Sequence, residues 1–424
     1  MTIALPNLRK DTILNLDRDG TENSIVHQLI LCLNRPSATS LPVSEIVNTF
    51  QRQGKHFVPK EVLLLLSRIR DKLSESDDGT DGWTIAFLDV LLDKADQTYD
   101  YHSYLALKVL FWGDEHRIDE TALDENILAL LLDLLDFETA APNQAVRWLD
   151  RLPADAELLD LRCQRILKLV QRPAERLGIW PSTKDLSAPQ LSHLLLELFD
   201  RRCPPTTNAR LHHTILPVAT VHDEYMFIRV LQTFETVFRW LARVLQRVID
   251  LDTDNIDLST HLMRRCSVRL NEVQFLLTLL SSMRKEAFAD FRRFTEGASA
   301  IQSHSYKLIE ALCRTPDPDR LNSAAFQAVP GLKPILSSQT STLDQVLERM
   351  KHSIAISDTK FEAFKDSATE FETAVLRWRK FHHKLAVSML GKTTGTGYTE
   401  GASYLDKVKD APLLLATTSR RGSG

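Results

Sequence analysis

The feature that most constrains this chain lies near its C-terminal end, between Phe361 and Leu405. Phe361, Phe364, Ala368, Phe371, Val375, Trp378, Leu385 and Met389 recur there mostly in steps of three and four. That spacing draws one apolar stripe down a long helix facing the interior. The longer step between Trp378 and Leu385 is filled by His382, a polar ring on an otherwise apolar seam. After Leu390 comes GKTTGTG, whose glycines end the helix and let the backbone turn back over whatever the seam faces. Taken alone, a seam histidine is more often a core residue with one hydrogen bond than a ligand, although neutral imidazole is the commonest metal ligand. The GKT triplet is not a phosphate loop: the pattern needs a glycine five residues before Gly391, where Ala386 stands, and a strand leading into a helix.

The rest of the chain suits long packed helices. It has 424 residues, 43% of them hydrophobic, with only 14 glycines and 17 prolines, enough for a large core and two units. No alternating strand pattern of any length occurs, so the expected fold class is all-α, a bundle of long helices. A formal charge of -4 argues against a dedicated nucleic-acid binder. Cys32, Cys163, Cys203, Cys266 and Cys313 are scattered without zinc spacing, which predicts reduced thiols in a cytoplasm. The opening MTIALPNLRKDTILNL carries acids and lacks the apolar core of a signal peptide. No run approaches the roughly 18 apolar residues of a membrane span, so no membrane partner is expected.

Five segments are expected: a helical extension at 1–95, a short amphipathic helix at 96–112, a helical insertion at 113–205, a core at 206–410 and a flexible tail at 411–424. Within the extension, two helices broken at Gly54 and Pro59 have a helix-turn-helix look, but no basic surplus supports DNA binding. In the core, Phe227, Val230, Leu231, Phe234, Val237, Phe238, Leu241, Val244 and Leu245 form one helical stripe, preceded by His222. A second long helix is expected from about 258 to 283. A Phe-Arg step at Phe291–Arg292 then precedes a small-residue break, and 314–335 reads as a proline-rich connection.

These segments, in this order, resemble the tryptophan 2,3-dioxygenase family, whose fold is an all-helical haem bundle. The C-terminal family pattern is met by Trp378, Arg379, His382, Gly391, Gly395, Thr396, Gly397, Gly401, Tyr404 and Leu405. The central pattern is met by Phe288, Phe291, Arg292, Ala298, Ser299, Gln302, Ser303, Ile309 and Glu310; an H-x-x-Y step is met by His222 and Tyr225. The early Y-x-x-Y-L-x-L is met by Tyr101, Tyr104, Leu105 and Leu107. The match covers residues 100–110 and roughly 210–410.

The resemblance implies that His382 is the axial ligand of a b-type haem, leaving the opposite face of ferrous iron open for O₂. It implies that the planar fork of Arg292 takes a substrate carboxylate and that Thr396 receives the ammonium. His222 would hydrogen-bond the indole N–H, Phe288 would pack on the ring, and Ser299 would join the substrate-binding group. Tyr101 and Leu105 match positions that reach into a neighbouring subunit's pocket, which implies a homo-oligomer, a dimer or tetramer. The implied reaction inserts both oxygen atoms across the indole C2–C3 bond of tryptophan or a derivative. The chain departs from the pattern at Ala300, Ile301, Val218 and Tyr398, and lost aromatics around the ring site would enlarge the cavity. Two alternatives therefore stand: a haem-dependent monooxygenase or ring-rearranging enzyme acting on a substituted tryptophan or tyrosine, and a non-catalytic haem-binding scaffold or sensor.

Overall fold

Several helices of the computed structural model begin where a short polar side chain caps them. The structure describes residues 22–75, 82–114, 118–141, 151–182, 186–203, 211–338, 341–391 and 402–415. Four helices form the N-terminal part: α1 (Glu22–Asn34), α2 (Val43–Gln53), α3 (Lys60–Glu75) and α4 (Gly82–Leu92). Two short ones follow, α5 (Tyr101–Tyr104) and α6 (Leu107–Leu110). Next come α7 (Glu120–Ala140), α8 (Ala156–Arg176) and α9 (Ala188–Arg202). Asp119 and Asp155 cap α7 and α8 by accepting from the Thr121 and Leu158 backbone N–H groups.

The central helix α10 (His222–Leu251) is buried over most of its circumference, as a helix at the centre of a bundle must be. It is followed by α11 (Ile256–Val273), α12 (Leu276–Leu280), α13 (Lys285–Arg292) and α14 (His304–Cys313). Three short helices, α15 (Pro318–Leu321), α16 (Ala324–Gln327) and α17 (Leu332–Ser338), occupy the segment expected to be a plain connection. The chain closes with α18 (Leu343–His352), α19 (Asp358–Leu390) and α20 (Ala402–Val408). No strand occurs among the described residues; the one β-bridge joins Arg151 to Val221. The all-α expectation holds.

Two main apolar cores result, beside a small cluster of Phe326, Val329 and Leu332. The larger one runs through α5, α7–α14, α18 and α19, with α11 packed along α19 and α7 along α8 and α10. The buried residues of α7, α8 and α9, among them Leu128, Ile166 and Phe199, thus share the core of α10. The smaller core joins α1–α4 to Ala106, Val109 and Leu216. Residues 411–415, the described start of the expected tail, are packed against the bundle. Leu413 and Leu414 are buried, and both donate their N–H groups to Glu372 Oε1, at 2.7 and 2.9 Å.

The 101–110 stretch also differs from a single helix. Ala106 takes a left-handed conformation (φ 49°) between α5 and α6. The break turns Tyr101 and Tyr104 into the large core while Val109 faces the small one. Likewise the helix expected over 258–283 is two pieces, because the chain turns between Val273 and Leu276.

Candidate functional site

The stripe of α10 and the seam of α19 face each other across a cavity of about 250 Å³, measured at the centres of water-sized spheres. Helix α10 contributes Phe227, Leu231, Phe234, Glu235 and Phe238, which follow one face at helical spacing. Helix α19 contributes Trp378, Arg379, His382, Leu385, Ala386 and Met389. One end is closed by α13 and the turn after it, with Phe288, Phe291, Arg292, Ser299, Ala300 and Ile301. Tyr101 and Tyr104 from α5, and Tyr306, Lys307 and Glu310 from α14, complete the wall.

His382 is held against Trp378, whose ring stacks on it at 5.1 Å and 26°. Trp378 in turn meets Phe234, Phe238 and Tyr306 at centroid distances of 5.9, 5.3 and 5.0 Å. His382 is half-buried and lines the cavity. Burial pushes its pKa down to about 4, with His383 adding to the effect, so the ring is neutral near pH 7 and keeps a lone pair for a metal. The Trp378 indole N–H is buried without a hydrogen-bond partner among the described residues.

Behind this aromatic box lies a charged network. Arg379 donates to the Tyr306 hydroxyl, to Glu310 Oε1 and to the Ala411 carbonyl, each at 2.7 Å. Glu310 also receives Lys307 at 3.1 Å and Arg320 at 2.8 Å. Burial alone would raise the Glu310 carboxyl, but Lys307, Arg379 and Arg320 hold it down at about 2. Arg379 is therefore spent on anchoring α14 and the C-terminal segment to α19.

At the other end, Phe227, Phe288 and Phe291 form an aromatic cluster, with centroid distances of 5.3–5.9 Å. The Arg292 guanidinium lies over the Phe288 ring, 5.9 Å from its centroid, and desolvation lowers its pKa. Ser299 caps the turn Ala300–Gln302, its backbone N–H donating to Gln302 Oε1 at 3.1 Å. The structure thus brings His382, Arg292, Phe288, Ser299 and Tyr101 to one cavity.

Other expected residues are placed differently. His222 does not line the cavity. Its Nε2 sits 3.1 Å from Glu138 Oε2, its ring lies against Phe137, and Arg162 pairs with the same carboxylate. The physical reason is helical geometry: His222 lies five residues before Phe227, so it points about 140° away from the cavity face. Val218 is buried too, donating its N–H to Glu224 Oε1 at 2.7 Å, and does not line the cavity. Leu105 is fully buried beside the cavity rather than in its wall, and its carbonyl accepts from Gln232 Nε2. Tyr101 enters the cavity of its own chain, with its backbone N–H on Gln302 and its hydroxyl on Glu235, so its position supplies no argument for a second subunit. Thr396 and Tyr398 lie outside the described residues.

Sequence reasoning had placed Phe227, Leu231, Phe234 and Phe238 in the core, without seeing that they face open space. It missed Glu235 and Tyr306. The signal for Glu235 was available: an acid eight residues after Phe227 falls on the same face of α10.

Comparison with curated sequences finds relatives over about half of the chain. The tryptophan 2,3-dioxygenase of Rhodococcus jostii is 25% identical over 248 residues, spanning 47% of this chain and 84% of that enzyme. The enzyme of the same name from Anaeromyxobacter sp. is 24% identical over 239 residues, 49% of this chain and 89% of the relative. That from Nocardioides sp. is 25% identical over 229 residues, 47% of this chain and 85% of the relative. No protein-family profile matches the chain. An all-helical bundle with a neutral imidazole on the wall of a mostly apolar cavity defines the class. Over about half of its length the chain is similar to enzymes named tryptophan 2,3-dioxygenase, which supports that superfamily of oxygenases.

The superfamily implies haem, and the residues present fit one. A neutral imidazole suits iron, and Leu277, Leu280, Leu385 and Met389 supply apolar walls for a flat macrocycle. No group of three or more metal-binding side chains occurs among the described residues, and one imidazole is what a porphyrin, which brings its own four nitrogens, requires.

Proposed function

We propose that the protein is a haem-dependent oxygenase acting on tryptophan or a closely related aromatic amino acid, with two-atom oxygen insertion across the indole C2–C3 bond as the leading reaction. The observation that carries this reading is His382: a desolvated, neutral imidazole aimed into an apolar cavity that also holds Arg292. Haem bound through that imidazole would supply the oxygen-activating iron. The chain's own residues would do the rest. Trp378 fixes the plane of the imidazole. Arg292 takes the substrate carboxylate in bidentate fashion, and Phe288 and Phe227 pack on the aromatic ring. The apolar wall excludes water, which strengthens every polar contact made inside. By family match, Thr396 receives the ammonium.

The test is spectroscopic. Protein expressed with haem precursor should show a Soret band that is lost or strongly altered in His382→Ala, and tryptophan should perturb it in wild type but far less in Arg292→Ala. A colourless wild-type protein would refute the reading. A second reading, transfer of one oxygen atom or ring rearrangement on a substituted tryptophan or tyrosine, draws support from His222, whose imidazole is tied to Glu138 and away from the ring site. Labelling with heavy oxygen separates the two: both atoms of one O₂ in the product favour the dioxygenase, one atom the alternative. Haem binding without O₂ consumption on any indole or phenol would instead favour a sensor.

A further inference from the structure

Two residues of the cavity wall carry a buried polar atom without a hydrogen-bond partner among the described residues: Trp378, through its indole N–H, and Glu235, through one carboxyl oxygen. Glu310 is saturated by three cations, Arg379 by Tyr306, Glu310 and Ala411, and Tyr104 by Glu224, to which its hydroxyl donates at 3.1 Å. Glu235 differs. Its Oε1 accepts from the Tyr101 hydroxyl at 3.1 Å, while Oε2 is buried without a hydrogen-bond partner among the described residues. The side chain is 1% exposed and lines the cavity. The Ser303 hydroxyl accepts from the Tyr306 backbone N–H, and the Ser303 and Ser305 side chains oppose the rise in the Glu235 carboxyl pKa that burial imposes. A carboxyl oxygen left unpaired in such a place costs stability, and the cost is removed if a ligand supplies a donor.

We propose that Glu235 is a substrate-binding residue whose Oε2 accepts a hydrogen bond from an N–H group of the bound aromatic amino acid. The inference rests on the function proposed above. It fills the place vacated by His222, since the ring N–H of an indole finds no second imidazole among the described residues of the wall. The donor is either that ring N–H or the amino-acid ammonium. Tyr101, bonded to the other oxygen, is the positioning residue: it fixes the rotamer of Glu235, and the Gln302 side chain fixes Tyr101 in turn by accepting its backbone N–H at 3.1 Å.

The experiment measures binding to the haem-loaded full chain by equilibrium dialysis, with tryptophan, 1-methyltryptophan (no ring N–H) and indole-3-propionate (no amine). Glu235→Leu should weaken tryptophan binding roughly tenfold or more, the size of a lost hydrogen bond to a charged or buried acceptor. The loss should vanish with one analogue, and that analogue names the donor. Infrared difference spectra guard against a misfolded leucine variant: tryptophan should shift a carboxyl band that disappears in Glu235→Gln, and the analogue lacking the donor should not shift it. Equal affinity losses for all three ligands, no loss for any, or binding without a carboxyl change would overturn the assignment while leaving the oxygenase reading intact. A haem-loaded wild type that binds none of the three would overturn both.

Discussion

Replacing Glu310 with glutamine would remove one charge from behind the aromatic box while keeping the side chain's shape. In the native protein Lys307, Arg320 and Arg379 approach this carboxylate at 3.1, 2.8 and 2.7 Å. Against the burial that would raise it, they hold its pKa at about 2, below an ordinary 4.5. That gap corresponds to about 3 kcal/mol of stability. The sign follows from proton binding. A depressed carboxylate stabilises the fold fully above its unfolded pKa, and the contribution is lost as pH falls through the folded one. Glu310→Gln should therefore lower the unfolding free energy by about 3 kcal/mol near neutral pH, and the difference from wild type should shrink to about 1 kcal/mol near pH 3. Urea denaturation followed by far-ultraviolet circular dichroism at the two pH values measures it. The same deficit at both would mean that the loss comes from geometry, not charge, and would refute the reasoning.

Three further outcomes can be checked. His222→Ala should leave haem content and the Soret band unchanged while costing roughly 1–3 kcal/mol of stability, because it unpairs one oxygen of buried Glu138; loss of the haem spectrum would return His222 to the cavity. Gly54→Ala should destabilise by roughly 1–3 kcal/mol, since Gly54 has φ +80° and an added Cβ would lie 2.9 Å from Ala219 Cα and Val218 O. A thermal melt unchanged by that substitution would contradict the close approach. Lys55→Met should cost roughly 3–5 kcal/mol by stranding Asp93, its fully buried partner at 2.6 Å, and Lys55→Met with Asp93→Leu should recover much of the loss; a double-mutant cycle by denaturation tests it.

Much of the architecture was legible because long amphipathic periods leave little choice. The seam of α19 runs Asp358–Leu390 and carries Trp378 and His382 on the cavity side, as the spacing of its aromatic residues required. Arg292 and Phe288 were legible through motif order. His222 was not placed correctly, because a motif match fixes chain position but not the side of the helix: one turn and a fraction separates the cavity face from the Glu138 face. Glu235 was hidden by the habit of reading an acid on an apolar stripe as an interruption. The break at Ala106 was invisible too, since nothing in YHSYLALKVL signals a left-handed residue; the competition between two cores for adjacent side chains imposes it. The packing of Leu413 and Leu414 depends on Glu372, 41 residues away from Leu413 in the chain, a pairing that no local pattern announces.

That left-handed residue has a mechanical consequence. Ala106 and Val109 are gripped by the first four helices, and Tyr101 and Tyr104, a few residues earlier, by the cavity wall. Beside direct contacts such as that of the Lys55 backbone N–H with the Pro217 carbonyl, the two bundles are coupled through a lever only a handful of residues long, stiffened by Asp100, which accepts the Ser103 backbone N–H at 2.8 Å. Any tilt of the leading bundle would be felt at the Tyr101 hydroxyl, so the affinity of a ligand in the cavity and the seating of helices far from it would be read out in the same currency.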